Sequence, residues 1–237
     1  MRAGNRYAYA SLKKRGRHDV ALAIFDLDNT LLGGDSDHAW GEFLVDRQLV
    51  DGDAFREAND RFYQQYQDGG LDIHAYLRFA LEPLTRFSPD ELEALHRDFM
   101  TNYIAPMRLP KADALIAEHK AAGDHCMIMT ATNTFITRPI AESLGISDII
   151  GSEPEVIDGR YTGNVAGTPC FQEGKVTLLK QRLQEQGLKL AGSTFYSDSH
   201  NDLPLLRLVE KPVAVDPDET LLKEALRQNW RVISLRD

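Results

Sequence analysis

The first strong pattern in the chain is a continuous apolar run that ends in acidic residues. Residues 21–25 are all apolar, and the sequence DLDNT follows at residues 26–30. Such a run is typical of a central strand in a parallel sheet, because that strand is buried on both faces. Ligands bind at the carboxyl ends of these strands. Asp26 and Asp28 are therefore candidates for a functional site, although acidic residues here can also simply cap a turn or helix.

After this run, and up to about residue 107, apolar residues recur at the spacing of helices. A Ser cap followed by Pro marks one helix start at Ser88. We name residues 34–107 the lid segment, because an all-helical insertion directly after the acidic pair should cover the carboxyl ends of the strands. Its apolar faces, interpreted as packing surfaces, comprise Phe55, Ala58, Phe62 and Tyr66, then Leu77, Leu81 and Leu84, then Leu92, Leu95, Phe99 and Tyr103.

From Leu109 onward, strand and helix patterns alternate, which predicts an α/β fold with a Rossmann-like parallel sheet and helices on both faces. We expect residues 21–33 and 108–237 to form this core, since the first strand cannot bury itself alone. Asp158 and Gly159 predict a β-hairpin. The predicted strands lie at 125–130, 149–150, 194–197, 213–215 and 232–234, and the predicted helices at 111–122, at 133–145 and after Gly174.

Composition and charge narrow the class of protein. The chain has 237 residues, of which 43% are hydrophobic and 27% charged, as in an ordinary globular protein. A net charge of -9 argues against a nucleic-acid-binding surface. The chain contains no stretch of ~18 apolar residues, so the sequence predicts no membrane span. Cys126 and Cys170 have no metal or disulfide spacing, so we interpret both as core or loop thiols, which favours the cytoplasm. The sequence does not determine the oligomeric state.

The first residues differ from the rest of the chain in charge. Residues 1–18 contain several Lys and Arg but no Asp or Glu, and no signal-peptide pattern follows. We expect residues 1–20 to form a basic N-terminal extension outside the core. A disordered extension, an upstream start codon and a basic interaction arm are the alternatives.

Three later segments place polar residues where the same crevice would receive them. Thr130 follows an apolar run, Lys175 lies near the start of a helix, and the sequence DSHND at residues 198–202 follows another apolar run. Each has an ordinary explanation: a helix cap, a surface lysine and a turn, respectively. Taken together, they predict a shared site at the strand ends.

In this order, the four segments resemble the four motifs of the haloacid dehalogenase superfamily. The resemblance rests on DLDNT at 26–30, Thr130, Lys175 and DSHND at 198–202. The lid segment resembles the cap of the phosphoserine phosphatase subgroup. Residues 25–40, 169–175 and 196–206 resemble a related bacterial group that includes histidinol-phosphate phosphatases.

The resemblance implies a cytoplasmic, magnesium-dependent phosphomonoesterase acting on a small phosphorylated metabolite. Asp26 would attack phosphorus and form an aspartyl-phosphate. Asp28 would protonate the leaving alcohol and then activate water. Mg²⁺ would be held by the carboxylates of Asp26 and Asp198 and by the backbone carbonyl of Asp28.

The remaining motif residues receive roles around the phosphoryl group from the same resemblance. Lys175 and the Thr130 hydroxyl would balance charge on the phosphoryl oxygens. Asn201 would contact the phosphate, while Asp202 would orient Lys175 or a metal-bound water.

The substrate prediction depends on the start of the lid segment. Phosphoserine phosphatases carry a Glu after the first motif, whereas this chain has Asp35 and then Asp37. Either could pair with an amino group, and His38 or Trp40 could border a ring. Alternatively, Ser36 and Asp37 only cap the first lid helix. We expect an amine-bearing phosphate ester, with histidinol phosphate as the leading candidate and a role in amino-acid biosynthesis.

Several alternatives stay open at this point. Phosphoserine, or a broader range of small metabolites, is the second possibility for the substrate. Arg78 and Arg86 would be available for a substrate carboxylate, although solvated positions are commoner for such residues. A dehalogenase would use Asp26 without an acid or metal, and a non-catalytic phospho-acceptor switch would lack so long a helical segment.

Overall fold

The computed structural model describes residues 20–236, so the predicted basic extension lies outside the described residues except for Val20. Six parallel strands form the main sheet in the order β3-β2-β1-β6-β7-β8. The predicted α/β architecture with a parallel sheet is thereby confirmed. The strands are β1 (Leu22–Phe25), β2 (His125–Asn133), β3 (Asp148–Ser152), β6 (Thr194–Ser197), β7 (Lys211–Val215) and β8 (Arg231–Ile233).

The central strand β1 is buried on both faces because its side chains alternate between two cores. Ala23 and Phe25 belong to one hydrophobic cluster, whereas Leu22 and Ile24 belong to the other. β1 pairs with β2 on one side and with β6 on the other. Phe25 of β1 lies opposite Ile128 of β2 and Tyr196 of β6. These registers bring the carboxyl ends of all three strands to the same edge of the sheet.

Helices account for most of the remaining described chain. The first four lie in the lid segment: α1 (Ser36–Asp46), α2 (Gly52–Gln67), α3 (Ile73–Leu81) and α4 (Pro89–Phe99). The others are α5 (Pro110–Ala122), α6 (Thr134–Ser143), α7 (Glu173–Gln186), α8 (Leu203–Leu206) and α9 (Glu219–Gln228). No helix within residues 20–236 has the length and apolar character that crossing a bilayer requires.

The lid segment leaves and re-enters the core through two adjacent stretches of backbone. Leu32 and Arg108 form an isolated antiparallel bridge, and the Gly33 N–H donates to the Met107 carbonyl at 2.8 Å. Short 3₁₀ and π turns join and extend its helices at Glu82–Arg86, Met100–Ile104 and Ala105–Met107. The segment is therefore helical, as expected. That it forms a unit separate from the core stays a prediction.

The strand that carries Thr130 is longer than the hydrophobic pattern predicts. β2 continues to Asn133, with a shift in its register to β3 between Met129 and Asn133. The interpretation that Thr130 ends the strand and that residues 131–133 turn into the helix is therefore wrong. The reason is that the polar side chains of Thr132 and Asn133 are buried, so polarity does not mark the strand end.

The predicted hairpin forms a separate small sheet beside the lid segment. β4 (Pro154–Ile157) pairs antiparallel with β5 (Arg160–Val165), and both turn residues, Asp158 and Gly159, have positive φ angles as the turn requires. β5 packs against α3 and the Glu82–Arg86 turn of the lid segment. The hairpin thus connects the core to the lid helices.

Candidate active site

Asp26 follows β1 directly and forms a buried ion pair with Lys175. The Lys175 Nζ lies 2.8 Å from Asp26 Oδ1, and the two residues are 2% and 4% exposed. Burial raises the pKa of the Asp26 carboxyl, and the lysine charge only partly opposes this. Lys175 is therefore not the surface lysine that a helix start usually carries. Its place beside Asp26 agrees with the predicted arrangement, and its role stays a prediction.

Asp202 supplies the second carboxylate that holds Lys175. The Lys175 Nζ is 2.7 Å from Asp202 Oδ1, and the Ser197 hydroxyl donates to Asp202 Oδ2 at 2.7 Å. Burial alone would disfavour the charged ammonium, but Asp202 and Asp26 outweigh it and raise the pKa of Lys175 above its ordinary value. The lysine therefore stays charged although it is buried.

Three donors orient the Asp28 carboxylate at the edge of the lid segment. The Ser36 N–H donates to Asp28 Oδ1 at 2.7 Å, and the Thr132 hydroxyl donates to Oδ2 at 2.9 Å. The Thr130 hydroxyl also points at Oδ2, at 3.3 Å. Thr132 was not among the predicted site residues, because the strand was predicted to end at Thr130. Residues 130 and 132 lie on the same side only because the strand continues past Thr130.

Asp198 lies beside the first motif and is held by Thr30. The Thr30 hydroxyl donates to Asp198 Oδ1 at 2.9 Å and accepts from the Asp198 N–H at 3.1 Å. Burial first, and then repulsion from Asp26, raises the pKa of Asp198 well above its ordinary value. Asp26 and Asp198 are two close carboxylates that disfavour each other's charged form, and they fit a divalent cation because a bound cation would stabilise both charges.

Asn201 connects the core to the lid segment. Its Nδ2 donates to the Tyr66 carbonyl at 2.9 Å, and its Oδ1 accepts from Gln172 Nε2 at 3.1 Å. Gln172 has a φ of 46°, a region that residues other than glycine rarely adopt. The amide of Asn201 thus contacts the lid segment and Gln172, and its predicted phosphate contact stays a prediction.

A narrow cavity separates the strand ends from the lid segment. Its volume is about 40 Å³. The cavity is lined by Asp26, Asp28, Asp35, Asp37, His38, Asn59, Phe62, Tyr63, Tyr66, Leu71, Ile73, Tyr76 and Thr130 to Thr132.

Two acidic residues and several aromatic residues form the lid side of this cavity, which we name the lid wall: Asp35, Asp37, Phe62, Tyr63, Tyr66 and Tyr76. Burial raises the pKa of Asp37 to about 7. It also raises the pKa of Asp35 well above its ordinary value, with repulsion from Asp28 as the next cause. Among the described residues that line the cavity, none is Lys or Arg. The lid wall therefore lacks a full positive charge.

The cap of α1 differs from the predicted one. Asp35, rather than Ser36 or Asp37, is the N-cap, and its Oδ1 accepts from the Asp37 and His38 N–H groups at 3.0 and 2.9 Å. The suggestion that Ser36 and Asp37 cap the helix is therefore wrong. Asp37 is left free of the cap and buried at the cavity.

Several side chains that were candidates for substrate contacts lie elsewhere. Trp40 packs among aromatic rings of the lid core, with Phe43 and Phe99 both 5.1 Å away between ring centroids, so it does not border the cavity. Arg78 and Arg86 are exposed and outside the cavity lining. Conversely, Phe62 and Tyr66, which the helical spacing assigned to packing, line the cavity. Their spacing alone could not have shown this, since packing and pocket faces share one period.

The chain is similar to known proteins over most of its length. A family model described as haloacid dehalogenase-like hydrolase matches residues 23–207. The chain is 51% identical over 219 residues to a protein named histidinol-phosphatase from Neisseria meningitidis, covering 91% of this chain and 99% of that one. It is 32% identical over 220 residues to a protein named phosphoserine phosphatase from Mycobacterium tuberculosis, covering 92% and 71% of the two chains.

Solved structures have the same fold. A Bordetella pertussis protein of unknown function matches with a TM-score of 0.86 and 43% identity, over 91% of this chain and 99% of that one. A substrate-bound phosphoserine phosphatase matches with a TM-score of 0.67 and 18% identity, over 93% and 95% of the two chains. At that identity, the second match supports the fold alone.

Proposed function

The chain belongs to the haloacid dehalogenase-like hydrolase family and is a phosphatase, and we propose that it hydrolyses a small amine-bearing phosphate ester, foremost histidinol phosphate, through an aspartyl-phosphate. The family and the relative at 51% identity support the reaction class. The charge of the lid wall supports the choice of substrate. By the same analogy, the protein would act in the cytoplasm, in amino-acid biosynthesis.

The proposed reaction begins with attack by Asp26. Its carboxylate forms a bond to phosphorus while the bond from phosphorus to the leaving alcohol oxygen breaks. Asp28 gives a proton to that oxygen, and later takes a proton from the water that attacks the aspartyl-phosphate. The donors from Ser36 and Thr132 support this role, because they hold the Asp28 carboxyl at the cavity rather than in solvent.

Lys175 and Thr130 are proposed to balance charge on the phosphoryl oxygens. Lys175 is already charged and positioned by Asp202, so no rearrangement of the lysine is needed as charge shifts in the transition state. Thr130 lines the cavity, and its hydroxyl lies 3.3 Å from Asp28 Oδ2. Asn201 would join them through its side-chain NH2 group, of which the contact to the Tyr66 carbonyl uses one N–H.

We propose Mg²⁺ as the cofactor, because the donors available are the hard oxygens that this ion prefers. The carboxylates of Asp26 and Asp198 and the backbone carbonyl of Asp28 would hold it. When bound, the ion would neutralise negative charge on the substrate phosphate. The raised pKa of Asp198 supports this assignment, since the charged form of that carboxyl lacks a cationic partner among the described side chains.

The lid wall is the observation that carries the substrate assignment. A substrate carboxylate, such as that of phosphoserine, would enter next to Asp35 and Asp37 without meeting Lys or Arg. A substrate ammonium would instead be stabilised by those carboxylates, and aromatic faces also attract cations. Histidinol phosphate carries an amine and an imidazole but no carboxylate, which fits this wall. Phosphoserine stays the second candidate, supported by the relative at 32% identity.

A substrate panel tests the proposal. Histidinol phosphate, phosphoserine and glycerol phosphate are compared as kcat/KM with magnesium and with a chelator. We expect histidinol phosphate to exceed phosphoserine at least ~10-fold, which corresponds to about 1.4 kcal/mol, and we expect chelation to abolish turnover. Equal rates for all three esters would refute the substrate assignment alone. Phosphate release that persists after chelation would refute the magnesium mechanism, and a haloacid turned over in place of all esters would support the dehalogenase.

A further inference from the structure

The lid segment contains a buried polar side chain that the proposed chemistry does not use. Asn59 lies on α2, is 3% exposed and lines the catalytic cavity. Burying a side-chain amide is costly unless its hydrogen bonds are made within the protein. The Asn59 Nδ2 group donates to the His38 carbonyl of α1 at 3.0 Å. This bond fixes which atom of the amide faces α1, because a carbonyl oxygen can only accept.

Gly41 leaves room for this amide against α1. A Cβ atom at Gly41 would lie 2.4 Å from Asn59 Nδ2 and 2.7 Å from Asn59 Cγ, so a larger residue would collide with the amide. Glycine in the interior of a helix is less stable than alanine. The close approach of Asn59 explains why α1 nevertheless contains a glycine here. We name the packing of Asn59 on Gly41 the α1–α2 contact.

The α1–α2 contact joins two parts of the lid wall. The acidic part belongs to the start of α1, where Asp37 directly precedes His38. The aromatic part includes Tyr63 and Tyr66 of α2, which follow Asn59 by four and seven residues and therefore share its helix face. All five residues line the cavity. The contact thus sets the distance between the carboxylates of α1 and the tyrosines of α2.

We propose that Asn59, held against Gly41, is a positioning residue that makes the lid wall selective for an amine-bearing substrate. This inference rests on the proposed function. With α1 and α2 in contact, a substrate ammonium meets the carboxylates of α1 and the aromatic faces of α2 at the same time. When the amide is displaced, one of these partners moves out of reach, while the phosphoryl group keeps its contacts at the strand ends. The loss therefore falls on KM for amine-bearing esters rather than on kcat.

Steady-state kinetics of the full chain with magnesium, on histidinol phosphate and glycerol phosphate, tests this role. Gly41→Ala forces the amide of Asn59 away from α1, and Asn59→Ala removes it. We expect each variant to raise KM for histidinol phosphate about 10-fold, because the ammonium loses one charge-assisted contact. The value of kcat for both esters, and KM for glycerol phosphate, should change less than about 3-fold.

A double variant and a matched control distinguish positioning from general damage to the lid segment. Gly41→Ala combined with Asn59→Ala should have a KM for histidinol phosphate at least about 3-fold below that of Gly41→Ala alone, because the new methyl group occupies space that the amide has left. The control is Gly52→Ala, at the start of α2, which should leave KM unchanged. A Cβ atom there has Val45 Cγ1 as its nearest neighbour, at an ordinary contact distance of 3.5 Å.

Each outcome supports or refutes the inference. A rise in KM confined to histidinol phosphate, with recovery in the double variant and no change in Gly52→Ala, supports it. Equal changes for the two esters, no recovery in the double variant, or the same rise in the control refutes it. A preference for histidinol phosphate that survives both single variants refutes this inference alone, whereas a wild type without that preference refutes the proposed function and this inference with it. If circular dichroism shows that Gly41→Ala is unfolded, Asn59→Ala and the double variant decide, because neither contains the collision.

Discussion

Two regions beside the cavity differ in the charges that they carry: the strand-end residues Asp26, Lys175 and Asp202, and the lid wall. At the strand ends, Lys175 lies between the carboxylates of Asp26 and Asp202, so a buried positive charge is already present. On the lid wall, Asp37 is buried and Asp35 is half-buried, and no Lys or Arg is among the described residues of the cavity lining. The first region is prepared for an anion and the second for a cation.

We infer from this difference that the strand ends carry out the reaction and that the lid wall selects the substrate. A phosphoryl group needs fixed positive charge and a nucleophile, and the core strands supply both. The lid carboxyls have no cationic partner until a substrate ammonium binds. Burial raises their pKa values in the absence of such a partner. Variants on the two sides should therefore affect different kinetic constants.

The largest effect should come from removing the nucleophile at the strand ends. Asp26→Asn keeps the shape of the side chain but cannot form the acyl phosphate, so we expect kcat to fall about 10⁴-fold for every ester. Phosphate release under saturating substrate measures it. Thermal unfolding of the same sample is the control for folding. Activity within 10-fold of the wild type would contradict the assignment of Asp26.

The next effect tests whether Lys175 serves chemistry as well as stability. Lys175→Met should lower kcat about 10²- to 10³-fold by removing charge from the transition state. It should also lower the free energy of unfolding by about 3–5 kcal/mol, because two buried carboxylates lose their partner.

The matched control for Lys175 is the double variant with Asp202→Asn. This change removes one of the orphaned charges and should restore part of the stability, as urea unfolding would show. It should not restore kcat. Recovery of both would mean that the lysine acts only on stability.

A smaller and more selective effect is expected on the lid wall. Asp37→Asn should raise KM for histidinol phosphate about 10-fold, because a charge-assisted hydrogen bond worth about 1.5 kcal/mol is lost. KM for glycerol phosphate, which has no cation, should change less than about 3-fold. Steady-state kinetics on both esters measures the split. Equal changes in KM for the two esters would show that Asp37 does not recognise the cationic group of the substrate.

The smallest effect concerns the pH dependence of stability. The pKa of Asp37 is about 7 in the folded protein against an ordinary value of 3.8, so the folded state binds more protons between these values. The contribution of Asp37 to stability therefore falls as the pH rises from about 4 to 7. Asp37→Asn should abolish this fall, so the free energy of unfolding of the variant should rise relative to that of the wild type between pH 4 and pH 8. Parallel pH profiles in urea unfolding would contradict it.

Much of the fold could be predicted because its signals are local. Continuous apolar runs predicted β1 and β6, and an Asp-Gly pair predicted the hairpin. The end of β2 could not be predicted in this way, since the buried Thr132 hydroxyl donates to Asp28, which lies in another segment of the chain. The same limit applies to the lid wall, where one helical period describes both packing and cavity faces.

The sequence by itself determined the parallel sheet and the order in which Asp26, Thr130, Lys175 and Asp198 reach its edge. Apolar periodicity and short motifs are properties of neighbouring residues, so they can be recognised from the sequence without knowledge of the tertiary structure. Only the tertiary structure decided that Lys175 is buried between carboxylates 149 and 27 residues away. It also decided that Asp37 and three tyrosines share one wall. The physical reason is that the pKa and the pairing of a charge depend on burial and on distant partners, which local patterns do not encode.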